Sequence, residues 1–231
     1  MKRILTALAC AFAFAMACNA QMTAARMMAY VGAALPYDRE IAWIGQNDKN
    51  TAWIDTGLVW DSGSWACEAD VYFSSNVVEN YVISQHSSGQ GCGYAFVYIN
   101  DNDLRLCYVS NLAADAVVDQ TFFGVFHHFK CNYKSGEQHL NVDDSLILTA
   151  TRTWVQGATE SGMRIIIGGV QTFGGKASGV RFGSVSIGHN GTLIRDFITV
   201  MDKSGVPCMY DRVTKSFFYN QGTGTFLYGE K

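Results

Sequence analysis

The chain has 231 residues, a formal net charge of −3, 48% hydrophobic and only 16% charged residues. That balance argues against disorder and coiled coil, and the acidic sign argues against a nucleic-acid binder working through bulk electrostatics. With 23 glycines, 2 prolines and 13% aromatics, the composition suits a single all-β unit, which can run to roughly 200–250 residues.

The N-terminus reads as an address. Lys2 and Arg3 precede residues 4–17, an uncharged apolar run too short to span a bilayer of roughly 30 Å. Small residues follow at Ala17, Cys18, Asn19 and Ala20. The pattern predicts a signal peptide over residues 1–20 and a mature chain starting at Gln21. A lipid anchor on Cys18 is the rival outcome, because Ala15-Met16-Ala17-Cys18 is a weak lipoprotein box. No later stretch predicts a transmembrane segment. The expected location is secreted, periplasmic or cell-surface.

Residues 21–34 lack alternation and form a leader; 35–231 form one domain. Strands are predicted at 41–45, 51–56, 65–73, 81–85, 94–100 and 104–110. More follow at 122–133, 139–142, 145–149, 163–168, 180–187, 193–200, 208–211, 216–219 and 225–228. Each is short, rich in Val, Ile, Phe, Tyr or Trp, and bounded by turn residues. Spacing near ten residues points to a sandwich or barrel. Asn100-Asp101-Asn102-Asp103 and Asp143-Asp144 read as turns, and Asn190-Gly191 as a type I′ hairpin.

Beyond the signal region lie Cys67, Cys92, Cys107, Cys131 and Cys208. The odd number leaves at least one thiol outside any intrachain disulfide. No CxxC spacing occurs, so a zinc knuckle has no support.

A resemblance then emerges from an ordered series. It begins with Trp53-Ile54-Asp55-Thr56-Gly57, Cys67-Glu68-Ala69-Asp70-Val71 and Gly124-Val125-Phe126-His127-His128-Phe129. It continues through Leu140-Asn141-Val142-Asp143, Ile165-Ile166-Ile167-Gly168-Gly169 and Gly191-Thr192-Leu193-Ile194-Arg195-Asp196-Phe197. It closes with Met209-Tyr210-Asp211 and Gly222-Thr223-Gly224-Thr225-Phe226. The chain resembles the concanavalin A-like lectin/glucanase superfamily, and within it the bacterial laminin-G-like modules. The resemblance implies a jelly-roll β-sandwich of two antiparallel sheets, with first and last strands close together. It also implies recognition or display rather than catalysis, with a glycan or cell-surface polysaccharide as the favoured partner.

The glucanase branch carries ExDxxE or ExDxE along one strand, and hydrolysis needs two carboxyls facing one cleft. Here Glu68 and Asp70 begin the pattern, but it ends in Phe73, so no enzyme is expected. A hydrolase or lyase with a displaced site, and a protein-binding jelly roll, are the alternatives. His127 and His128 are adjacent in a strand, so they point to opposite faces and cannot share a metal. No GxSxG or phosphate-loop register is present. Calcium is the one candidate cofactor, with oxygen-rich spots at Asp101/Asn102/Asp103, Asp143/Asp144 and Asp55/Thr56. Trp43, Trp53 and Trp65 read as core. Trp60 and Trp154 stand beside Ser, Thr, Asp, Arg and Gln, where a ring can stack on a sugar, and are the candidate ligand-binding residues.

Overall fold

Period-two burial runs through the long strands and sets the architecture. In Trp65–Phe73 every odd residue is buried while Ala66, Glu68, Asp70 and Tyr72 face outward. Such alternation is the mark of a sheet with one face on the core.

The computed structural model describes residues 34–46, 52–59, 61, 63–74, 80–86, 93–100, 103–108, 111–134, 136–151, 164–170, 174–175 and 179–231; for 80, 85–86, 93–100, 103–108, 111–115, 170 and 174–175 only the backbone is described. Tyr37–Lys231 forms a compact unit. The strands are β1 (Arg39–Glu40), β2 (Trp43–Gly45), β3 (Ile54–Val59), β4 (Trp65–Phe73), β5 (Asn80–His86), β6 (Gly93–Asn100), β7 (Asp103–Tyr108), β8 (Asn111–Val117), β9 (Phe126–Lys134) and β10 (Glu137–Val142). They continue with β11 (Ser145–Ala150), β12 (Arg164–Ile167), β13 (Gly169–Val170), β14 (Gly174–Gly175), β15 (Val180–His189), β16 (Thr192–Met201), β17 (Pro207–Asp211), β18 (Ser216–Phe218) and β19 (Leu227–Gly229). A one-turn 3₁₀ helix, Gln120–Phe122, precedes β9.

The larger sheet runs β11-β10-β9-β4-β15-β16-β17-β18, and the smaller runs β3-β12-β5-β6-β7-β8. All pairings are antiparallel. The N-terminal strands fill a fork in the larger sheet: β1 pairs with β16, and β2 lies between β15 and β19. First and last strands therefore meet, as expected. One core lies between the sheets, with Phe73, Phe129, Phe182 and Phe197 from the larger and Ile54, Val82, Ile165 and Ile167 from the smaller.

The turns follow their chemistry. Asn190 and Gly191 both adopt positive φ, 50° and 76°, and Asp143 and Asp144 do likewise at 49° and 63°. These are the left-handed pairs of type I′ hairpins. β8 was not anticipated: its NLAADAV has low strand propensity and forms at the sheet edge by pairing with β7.

Cys67 and Cys131 sit directly opposite each other on β4 and β9, both buried and both carrying thiols. His128 gives its main-chain N–H to Asp143 Oδ1, and its carbonyl accepts from Asp143 N–H, so its backbone points toward β10. Alternation then points Cys131 toward β4 in a hydrogen-bonded pair, whose side chains diverge more than those of a non-hydrogen-bonded pair. A disulfide needs Cβ atoms about 3.5–4.5 Å apart, so the two thiols are expected to stay separate. Burial pushes both thiols up, and the Cys208 thiol is pushed up to about 12 by burial and then by Asp202. Peptide mass spectrometry should find Cys67 and Cys131 unalkylated in the native protein and individually alkylated after unfolding. A Cys67–Cys131 cross-link would contradict the register.

Candidate functional site

The outward face of the larger sheet carries a polar cluster centred on β4. Asp70 and His128 form a non-hydrogen-bonded cross-strand pair by the same alternation, the type that brings side chains closest. Their contact is 2.7 Å, from His128 Nδ1 to Asp70 Oδ1. The other ring nitrogen faces Glu68 Oε2 at 3.5 Å. On the far side of β4 the ladder slips between Phe182 and Val185, so Gly183 and Ser184 together oppose Asp70. That bulge turns the Ser184 hydroxyl onto Asp70 Oδ2 at 2.5 Å. A Cβ on Gly183 would lie 3.2 Å from Asp70 Cβ, so the bulge needs a glycine there to approach β4 without crowding.

His127 sits on the opposite face of β9 from His128. Its ring stacks on Phe122 at 4.2 Å and 7°, with Nδ1 2.6 Å from Asp143 Oδ2 and Nε2 2.9 Å from the Phe122 carbonyl. Burial opposes ionisation of Asp143, but bonds from His127 and the His128 N–H outweigh it and hold the carboxyl below its ordinary range. Asp70, His127, His128, Asp143, Gly183 and Ser184 border a cavity of about 540 Å³, walled also by Ile41, Ala42, Phe126, Ile198, Thr199 and Lys231. A second cavity of about 330 Å³ lies farther along β4 and β15, between Trp65, Glu68, Asn132, Ser186 and Leu193.

Beside the first cavity runs an aromatic row. Arg181 lies between the Trp43 and Tyr72 rings, its Cζ 4.4 Å from each centroid, and Tyr72 meets Phe126 at 5.5 Å. Gly229 makes room for Trp43, whose indole occupies the space a Cβ there would take.

Several sequence expectations change. Phe73 is not an empty catalytic position. β4 pairs with β9 without a register shift, so Phe73 points into the core and is 0% exposed. Trp65 is buried as expected, whereas Trp43 and Trp53 are half-buried. Trp60 and Trp154 lie outside the described residues, as do Asp101 and Asn102. Among the other oxygen-rich spots, Asp143 engages His127, Asp144 engages Lys130, and Asp55 engages Arg164. Among the described residues no group of three or more His, Cys, Asp or Glu side chains converges as a metal site would require. Sequence reasoning paired Glu68 with Asp70 on one strand but did not bring His128 to them, and it missed Ser184 and Arg181. The outward phase of β4 was the available signal; the bulge had none.

No protein-family model and no curated protein matches the chain. Among solved structures, a candidate carbohydrate-binding protein from Bacteroides ovatus is similar at a TM-score of 0.55 and 11% identity, over 83% of this chain and 60% of that one. Domains LG4-5 of the mouse laminin alpha1 chain give a TM-score of 0.46 at 11% identity, over 70% of this chain and 44% of that one. A Trypanosoma rangeli sialidase mutant gives 0.44 at 16% identity, over 57% of this chain and 21% of that one. This chain thus spans less than two thirds of the length of each. At such identities the likeness is one of fold: two antiparallel sheets around one core make this chain an all-β jelly-roll sandwich.

Proposed function

We propose that this chain is an exported, non-catalytic recognition module that binds glycan on the outward face of its larger sheet. The observation that carries the reading is the cavity of about 540 Å³ edged by Asp70, His128 and Ser184, with Phe126 and the Tyr72 row beside it. A pyranose has polar edges and an apolar face, and this surface offers hydrogen-bonding groups next to rings. The fold shared with the Bacteroides ovatus protein supports a binding module. Phe73, where the glucanase pattern would place its last carboxylate, is buried in the core, which favours binding over hydrolysis. Trp60 and Trp154, from the sequence, are proposed as rim contributors.

The test is a glycan array followed by calorimetric titration. A shallow site should bind with Kd on the order of 10–1000 μM. Asp70→Asn and His128→Gln should each weaken binding about tenfold, since each removes a hydrogen-bonding group from the edge of the cavity. Both side chains are more than a third exposed, so the fold should survive, as circular dichroism would show. Wild type that binds no glycan, or variants that bind as wild type does, would refute the site. Trp60→Ala and Trp154→Ala test the rim in the same assay. Reducing-sugar release abolished by Glu68→Gln would instead establish a hydrolase.

Export has its own test. N-terminal sequencing of secreted material should begin at Gln21, and a lipid adduct on Cys18 would replace cleavage after Ala20 with anchoring.

A further inference from the structure

The arginines whose side chains are described fall into two kinds. Arg39, Arg164, Arg195 and Arg212 each hold a carboxylate, from Glu230, Asp55, Asp211 and Asp196 respectively. Arg181 holds none among the described residues. Its Cζ lies instead over two rings, 4.4 Å from the centroids of Trp43 and Tyr72. Its N–H donors form a planar fork that is committed to no carboxylate of the described residues. A planar cation fixed in this way has lost most of its rotamer freedom before any ligand arrives, and its fork matches a carboxylate or sulfate.

We infer that Arg181 receives an anionic substituent of the bound glycan, a carboxylate or a sulfate. The inference rests on the glycan reading above and gives it an orientation. Arg181 is opposite Tyr72, which stands two residues from Asp70 on the same face, about 7 Å along β4. The carboxylates Glu68, Asp70 and Asp143 would repel an anion at the cavity end. The acidic group therefore lies on Arg181, and neutral hydroxyls face Asp70 and His128.

The test compares matched probes: hexagalacturonate with its methyl ester, and dextran sulfate with dextran. Wild type should prefer the charged member of at least one pair by about tenfold, with affinity falling as salt rises. The pair that discriminates identifies carboxylate or sulfate. Arg181→Gln should erase the preference, and Arg181→Lys should restore part of it. The Nε–H resonance of Arg181, followed by NMR during titration with inorganic sulfate and with glucuronate, reads the anion site without any polysaccharide. If that resonance is unmoved by either anion, or if Arg181→Gln retains the preference, the inference is overturned. Movement of the resonance in a protein that binds no glycan would end the glycan reading and leave the anion site standing.

Discussion

Phe73→Glu is expected to unfold the protein rather than complete a catalytic set. Phe73 is 0% exposed and packs against Phe122 and Phe129, with ring centroids at 5.9 and 6.1 Å. Losing a buried phenylalanine costs about 3–5 kcal/mol. A carboxylate placed in that space without a partner costs several kcal/mol more, or takes up a proton and remains poorly bonded. The total matches much of the roughly 5–15 kcal/mol that holds a domain together. Phe73→Leu, which keeps an apolar side chain, should cost about 1–2 kcal/mol. Urea denaturation should show a shifted but cooperative transition for the leucine variant and no native baseline for the glutamate variant. A glutamate variant melting like wild type would mean that β4 is out of register here.

Asp211→Ala is expected to be the most damaging polar substitution, at about 3–5 kcal/mol. The Asp211 side chain is 0% exposed at the end of β17. Its carboxylate accepts the main-chain N–H groups of Asp196 at 2.9 Å, Val213 at 3.0 Å and Thr214 at 3.3 Å, and the Thr214 hydroxyl at 2.6 Å. Arg195 Nε stands 3.7 Å away. Removing the carboxylate strands several donors and loosens the turn into β18. Burial works against its ionisation, but the Thr214 hydroxyl and the three N–H groups more than offset this and hold the carboxyl below its ordinary range. A carboxyl depressed in the folded state contributes stability that is present above its unfolded value, about pH 4, and is lost as pH falls through the folded value. Asp202, held low mainly by the Val206 N–H, adds to the same slope. Stability should therefore drop steeply below about pH 4, and Asp211→Asn should flatten that drop while lowering stability at neutral pH. Denaturant midpoints from pH 2 to 7 would decide it. An unchanged slope in the asparagine variant would rule out Asp211 as its source.

The sequence by itself determined the fold class and most of its strands. β4 occupies the predicted residues because nine positions alternate without interruption, and the Asn190-Gly191 hairpin sits where its backbone chemistry requires. Alternation also fixed that Glu68 and Asp70 share a face and that His127 and His128 do not. What it could not fix were properties of neighbouring strands. β8 is a strand because β7 offers it an edge, not because Ala and Asp favour one. Trp43 can lie on the outward face only because Gly229, opposite it in register and far away in the chain, leaves the space its ring takes. Ser184 reaches Asp70 only through a bulge, a mismatch between two ladders that neither sequence carries alone. Side-chain phase is local and can be read along one strand. The meeting of Asp70, His128 and Ser184, and the placing of Arg181 beside Trp43 and Tyr72, depend on register between strands, and the three-dimensional packing of the sandwich decides both.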